Sequence, residues 1–149
     1  MVNIRNVLLW LHILVAMVTL GPLILFDVLG PAAIRAGNVG AVRAIHSWAG
    51  RLGPMTVLIA VIGLILVFRD GDDIFKISDG WILGAVAIYV TMVVNGVAIL
   101  GTTLGRAATR LEAGESTAAE LSRLYLFGAL NIVLFCVILW LMVAKPGLG

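Results

Sequence analysis

Four long segments of this chain contain no Asp, Glu, Lys or Arg, although these residues make up 12% of the sequence. They cover residues 7–26, 52–68, 81–104 and 124–144. A charge at the centre of a bilayer costs roughly 2.5–3.5 kcal/mol on insertion scales, and about 20 apolar residues cross the hydrocarbon as a helix. Because no water is present there to satisfy the backbone, each segment must be helical. The sequence therefore predicts an all-α integral membrane protein.

The spacing of these segments predicts a single domain over residues 1–149, an antiparallel up-down four-helix bundle. Gly30 and Pro31 are expected to end the first helix, since proline cannot continue the hydrogen-bond ladder. The connector that follows is basic, and within it Asn38 can cap an amphipathic interfacial helix that runs on towards Pro54. Asp79 is placed to cap the third helix. The four helices are expected at about residues 4–29, 50–68, 80–113 and 118–144.

The distribution of arginine and lysine predicts the orientation in the membrane, because cytoplasmic loops carry the excess. Six basic residues follow helices one and three, and four lie on the opposite side. This favours a multi-pass membrane protein with both termini outside the cytoplasm. The two groups are Arg35, Arg43, Arg51, Arg106, Arg110 and Arg123 against Arg5, Arg69, Lys76 and Lys145.

Few polar side chains fall inside the predicted membrane region, and only His12 and Asp27 among them are ionisable. An ionisable residue at such a depth is a candidate functional residue. Asp27 stands near the cytoplasmic end of helix one, where it is expected to meet Arg51, Arg123 or Tyr125 and hold the bundle in register. Helix rise places further polar groups nearby. The predicted polar cluster consists of Asp27, Arg51, Asn95, Tyr125 and Asn131.

His12 raises the hypothesis of haem b, because imidazole is a frequent axial ligand and membrane four-helix bundles can hold this cofactor. The other histidine, His46, precedes helix two and is expected on the opposite side of the bilayer. One monomer therefore cannot ligate a single haem through both histidines. The alternatives are a site completed by Met142, by water or by a second copy's His12, or a histidine that serves packing alone.

The sequence contains no motif that is typical of an enzyme or of a nucleic-acid-binding protein. It has no nucleophile elbow, zinc-protease motif, phosphate-binding loop or paired intramembrane carboxylates, so no catalytic or metal-binding residues are assigned. Basic residues are scattered rather than gathered into a stripe, and no nucleic-acid partner is expected. The one cysteine, Cys136, excludes an intrachain disulfide. The lipid bilayer is the partner that the sequence predicts.

Three segments carry a resemblance to a known family: residues 8–16 with Trp10 and His12, residues 81–90, and the ending at 140–146. They resemble a family of small bacterial integral membrane proteins, domain of unknown function 2269, and the likeness implies a four-helix membrane fold without an assigned activity. The Leu11-His12 start is more distantly similar to the four-helix, haem-carrying protoporphyrinogen oxidases and to copper-resistance membrane domains. That similarity implies a haem ligand at His12, although residues 21–27 depart from the oxidase pattern.

Two functional hypotheses of different class follow, with a third behind them. The first, which we favour, is a small non-catalytic membrane protein, either an accessory or assembly subunit of a larger membrane complex or a homo-oligomer. The second is a redox protein with haem at His12. The third is a proton- or ion-coupled transporter that uses Asp27 with Asn95.

Overall fold

The structure, a computed structural model, describes residues 3–69 and 80–144, and within these ranges every regular element is helical. Four helical rods are long and apolar enough to cross a membrane: Ile4–Arg35, Val39–Phe68, Gly80–Glu112 and Ala118–Ala144. The predicted all-α, four-helix membrane fold is confirmed. The elements in chain order are α1 (Ile4–Arg35), α2 (Val39–Met55), α3 (Val57–Arg69), α4 (Gly80–Val94), a π-helical segment (Asn95–Gly101), α5 (Thr102–Glu112) and α6 (Ala118–Ala144).

The helices pack unevenly along the bundle. α1 packs against α2, α3 and α6, and α4 packs against α6. The π segment and α5 lie against both α2 and α6, whereas α3 and α4 are not packed closely on each other in the described part of the chain. The bundle is therefore tight at the end that holds the turns at residues 36–38 and 113–117, which we call the connector end. It is looser towards the opposite end.

The buried core follows this division. The larger apolar cluster lies at the connector end, and a smaller one lies between α4 and α6. Many other long apolar side chains are exposed, among them Val97 and Leu126. A bundle in lipid can expose such residues, because its helices associate through close packing rather than through exclusion of water. The larger cluster contains Ile34, Val42, Ile45, Leu100, Leu104, Ala107, Ala108 and Leu124.

The first helix runs to Arg35, beyond the end predicted at residue 29, and carries Pro31 inside it. Pro31 has no N–H to offer the carbonyl oxygen of Asp27, yet the helix continues, because tertiary packing offsets the lost bond: Gly30 and Pro31 are both buried. A Cβ on Gly30 would lie 3.0 Å from Leu104, which shows how closely α5 approaches. Gly37, at φ 64°, then ends the helix in the left-handed region.

The second rod is two helices rather than one, with α2 ending at Met55 and α3 beginning at Val57. Pro54 lies in the last turn of α2, near the predicted bend. The Asn38 side chain accepts a hydrogen bond from the Ala41 backbone N–H at 2.9 Å, so the predicted cap is confirmed. The remaining helices run Gly80–Glu112 and Ala118–Ala144, close to the predicted bounds. The predicted Asp79 cap lies outside the described residues, as do Lys76 and Lys145.

Candidate functional site

Asp27, Asn95 and Asn131 meet in the interior of the bundle and join three of its rods. The Asn131 side-chain amide donates to Asp27 Oδ2 at 3.0 Å. Asn95 Nδ2 donates to the Phe127 backbone oxygen at 3.0 Å and lies 3.4 Å from Asn131 Oδ1. Asn95 and Asn131 are only 4% and 6% exposed. The sequence-predicted cluster therefore contains three residues that the structure brings together.

A glycine on α6 makes this meeting possible. A Cβ on Gly128 would lie 3.3 Å from both the Cβ and the carbonyl oxygen of Asp27. That carbonyl is the group that Pro31 leaves without its helical donor. Gly128 and Asn131 are three residues apart and share one helix face, so the close approach of α6 also carries Asn131 to the carboxylate.

Two members of the predicted cluster lie elsewhere, and the expected partners of Asp27 are corrected. Arg51 stacks over the Trp48 ring, with its guanidinium carbon 5.4 Å from the ring centroid. The Tyr125 hydroxyl accepts a hydrogen bond from Arg35 Nη1 at 3.3 Å. Tyr125 is six residues before Asn131, which turns it about 120° away on the helix. Asp27 is therefore bonded to an asparagine, and within the described chain it has no ion-pair partner.

Asn95 opens the π-helical segment of the third rod, which runs to Gly101. A π turn inserts one residue into the helical ladder and is found frequently at functional sites. Asn95 is buried towards α6, whereas Gly96, Val97 and Gly101 line a cavity. Asn95 Oδ1 is a buried oxygen with no hydrogen-bond partner in the structure.

The cavity has a volume of about 350 Å³ and lies between α1, α2 and the third rod. Asp27 and Asn131 line it, and its wall is otherwise mostly apolar, with Leu20, Leu23, Met92 and Leu100 among its residues. His46, Gly50, Pro54 and Val97 line it as well and are exposed, so the cavity opens beside α2 and the π segment. Val97 is 63% exposed.

Glycines leave much of this space. A Cβ added to Gly50, Gly53 or Gly96 would meet nothing within 4 Å beyond its own chain neighbours. Each of these positions therefore has room for a side chain. Sequence reasoning did not assign these glycines or His46 to a site. The Gly50-x-x-Gly53 spacing, which puts two glycines on one helix face, was the available signal.

The hydroxyl groups around the cavity donate their protons within the protein. Tyr89 Oη lies 3.3 Å from Thr56 Oγ1 and donates to it, and the Thr56 hydroxyl donates to the Gly53 carbonyl at 2.6 Å. Thr102 donates to the Ala98 carbonyl at 2.8 Å. These bonds leave lone pairs, rather than protons, available to a molecule in the cavity.

His12 lies apart from this cavity, between α1 and α3. Its ring is packed against Gly63, where a Cβ would lie 3.1 Å from the imidazole Cε1, and it contacts the backbone carbonyl of Ile59. Nδ1 is buried and has no hydrogen-bond partner among the described residues. The packing beside Gly63 closes Nδ1 to a haem iron, so a haem at His12 would have to be ligated through Nε2.

The fold and the interior site define an integral membrane protein with four candidate membrane spans among the described residues, whose polar cluster borders a mostly apolar cavity. Comparison with known families gives a closer assignment. The chain belongs to the family described as predicted integral membrane protein DUF2269, which matches residues 6–146. The family resemblance seen in the sequence is confirmed. No curated protein and no solved structure shows significant similarity, so the more distant likeness to haem-carrying proteins is without support.

Proposed function

We propose that this integral membrane protein binds a small amphipathic molecule from the bilayer in the cavity, with Asp27 and Asn131 as its polar anchor. The observation that carries the proposal is a carboxylate, bonded only to Asn131 among the described residues, that lines a mostly apolar cavity. Ionisable groups are expensive at this depth, and those that occur face a partner or a path. The proposed site residues are Asp27, Asn95 and Asn131.

The size and lining of the cavity support this role. Ligand pockets measure about 300–1,000 Å³ and combine apolar walls with a few polar groups. The cavity is at the lower end of that range. A short alkyl chain with a small polar head fits these proportions. The opening beside α2 and the π segment would let such a molecule enter sideways from the bilayer.

The proposal keeps the favoured sequence hypothesis of a non-catalytic protein. Binding of a lipid-soluble molecule needs no nucleophile or general base, and a ligand-binding subunit could act alone, as a homo-oligomer or within a larger membrane complex. Native mass spectrometry of protein released from nanodiscs would report the number of copies. Retention of one ligand per chain in that spectrum would agree with the proposal.

Filling the cavity tests the proposal most directly. Gly53→Leu and Gly96→Leu introduce side chains into open space, so each should abolish the saturable binding of radiolabelled 1-octanol in equilibrium dialysis against neutral maltoside micelles. Gly21→Leu is the matched control, because Gly21 also meets nothing within 4 Å but does not line the cavity. Octanol binding that is equal in all four proteins would refute a role of the cavity.

A second candidate function is proton- or ion-coupled transport through the same site. It is favoured by the position of Asp27, whose intramembrane carboxylate could exchange a proton for a ligand at the cavity wall. In proteoliposomes, a pH gradient should then drive uptake that Asp27→Asn abolishes. Uptake unchanged by that substitution would exclude this candidate.

The orientation in the membrane is also part of the proposal. The connector end carries Arg35, Arg43, Arg106, Arg110 and Arg123, an excess that is typical of the cytoplasmic side in a bacterial inner membrane. We expect both termini outside the cytoplasm. Alkaline phosphatase fused after Ala144 should be active, and green fluorescent protein fused there should stay dark. The reverse pattern would invert the assignment.

A further inference from the structure

We infer that the molecule bound in the cavity carries a positively charged hydrogen-bond donor, such as a primary alkylammonium group, that pairs with Asp27. This inference rests on the proposed function and specifies the chemical class of its ligand. Two observations carry it: the hydrogen-bonding capacity that remains around the cavity, and the signs of the charges that line it.

The remaining capacity is mainly that of acceptors. The protons of Thr56, Tyr89 and Thr102 are donated within the protein. Asn131 already donates to Asp27, and its oxygen faces Asn95. Asp27 accepts one described bond, although a carboxylate offers about four lone-pair positions. A ligand with protons to donate therefore finds more open positions than a ligand that only accepts, for which the second amide proton of Asn131 and the His46 ring at the exposed rim remain.

The charges give the same preference. No Arg or Lys of the described residues lines the cavity, and the nearby Arg35 is bonded to Tyr125 at 3.3 Å. On α6, Glu120 lies 3.3 Å from Arg110 and does not line the cavity. The other titratable side chains in the lining are His46, at the exposed rim, and Tyr89. Asp27 is thus the carboxylate available to a cation in this space, and an anionic head would find no counter-charge beside it.

A headgroup series on the wild-type protein tests the inference without any substitution. 1-Octylamine, which is protonated at pH 7, 1-octanol and octyl sulfate share one alkyl chain. Only the saturable binding that is lost in Gly53→Leu is counted. Partition of the octyl compounds into micelles therefore does not contribute to the measured affinity. Octylammonium should bind about tenfold or more tightly than octanol, as expected for a hydrogen bond between charged groups. Octyl sulfate should show no saturable binding.

Asp27→Asn provides the second measurement. The asparagine can still accept the Asn131 hydrogen bond, so the variant preserves the shape of the site while removing its charge. It should lose the preference for octylammonium, so that the ratio of the octylammonium affinity to the octanol affinity falls to about one. Equal affinities of the wild type for octanol and octylammonium, both lost in Gly53→Leu, would overturn the inference and leave the proposed function intact. If Gly53→Leu changes no binding at all, the proposed function itself fails.

Discussion

Gly128 on α6 lies so close to Asp27 on α1 that an added Cβ would stand 3.3 Å from the Asp27 carbonyl oxygen. This contact sets the distance between two membrane-spanning helices at the level of the polar cluster. It also brings Asn131 within 3.0 Å of the carboxylate. The candidate site therefore depends on Gly128, a residue that has no side chain with which to form a hydrogen bond.

Gly128→Ala should destabilise the protein because the Asp27 backbone, unlike a flexible side chain, cannot move aside cheaply. We expect a loss of roughly 1–3 kcal/mol in the free energy of unfolding in mixed micelles, typical of overpacking. Gly84→Ala is the matched control, since its Cβ would lie 3.6 Å from Leu141, an ordinary contact. It should be neutral or stabilise by up to about 1 kcal/mol through helix propensity. Similar effects of both substitutions would show that the α1–α6 contact is not limiting.

Asn131→Ala should cost about 1.5–3 kcal/mol in the same assay, because it removes the described hydrogen bond to the Asp27 carboxylate. Thr91→Ala serves as the control. The Thr91 hydroxyl bonds only to the Ala87 carbonyl of its own helix, and the residue is exposed, so a change within about 0.5 kcal/mol is expected. An Asn131→Ala protein as stable as Thr91→Ala would mean that the carboxylate does not need this partner.

The absorption spectrum of the purified protein decides the haem alternative. We expect no Soret band, because the His12 ring on α1 is packed against Gly63 of α3. A Soret band that disappears in His12→Ala and persists in His46→Ala would contradict this expectation. It would identify His12 as an axial ligand and make the redox hypothesis the better one.

Two arginines at the connector end should contribute very differently to stability. Arg110 Nε lies 3.3 Å from Oε1 of Glu120, whose side chain is 9% exposed, so Arg110→Ala strands a buried carboxylate and should cost about 1–3 kcal/mol. Arg43 pairs with Glu112 at 2.7 Å, but both side chains are well exposed. Arg43→Ala should therefore cost about 0.2–1 kcal/mol. Equal costs, measured by unfolding in micelles at pH 7, would show that burial of Glu120 adds nothing.

The helical breaks show where local sequence rules stop being sufficient. Pro31 was predicted to end the first helix, because proline disfavours helix continuation locally. In the bundle, burial of Gly30 and Pro31 against other helices extends α1 to Arg35. The π segment at Asn95 left no signal in the hydrophobic pattern, since it lies within the charge-free segment that runs without a break from residue 81 to residue 104.

The polar cluster could be predicted in part. Helix rise along the chain placed Asp27, Asn95 and Asn131 within the predicted membrane region, and these residues do meet. The depth of a residue in the membrane does not specify the direction in which its side chain points around the helix axis. Arg51 and Tyr125 were therefore grouped with these three residues although they face elsewhere. The cavity was missed because its lining comes from residues on four helical rods, whose arrangement the sequence does not give.

The sequence by itself determined that the protein lies in a membrane and how many helices cross it, because the length of a charge-free segment is a property of that segment alone. The resemblance of three segments also indicated the family. Only the tertiary structure decided which polar groups share an interior, and where the glycines leave a cavity beside a carboxylate. Those relationships depend on the azimuth and separation of helices that are distant in the chain. Packing of all four rods sets both quantities together.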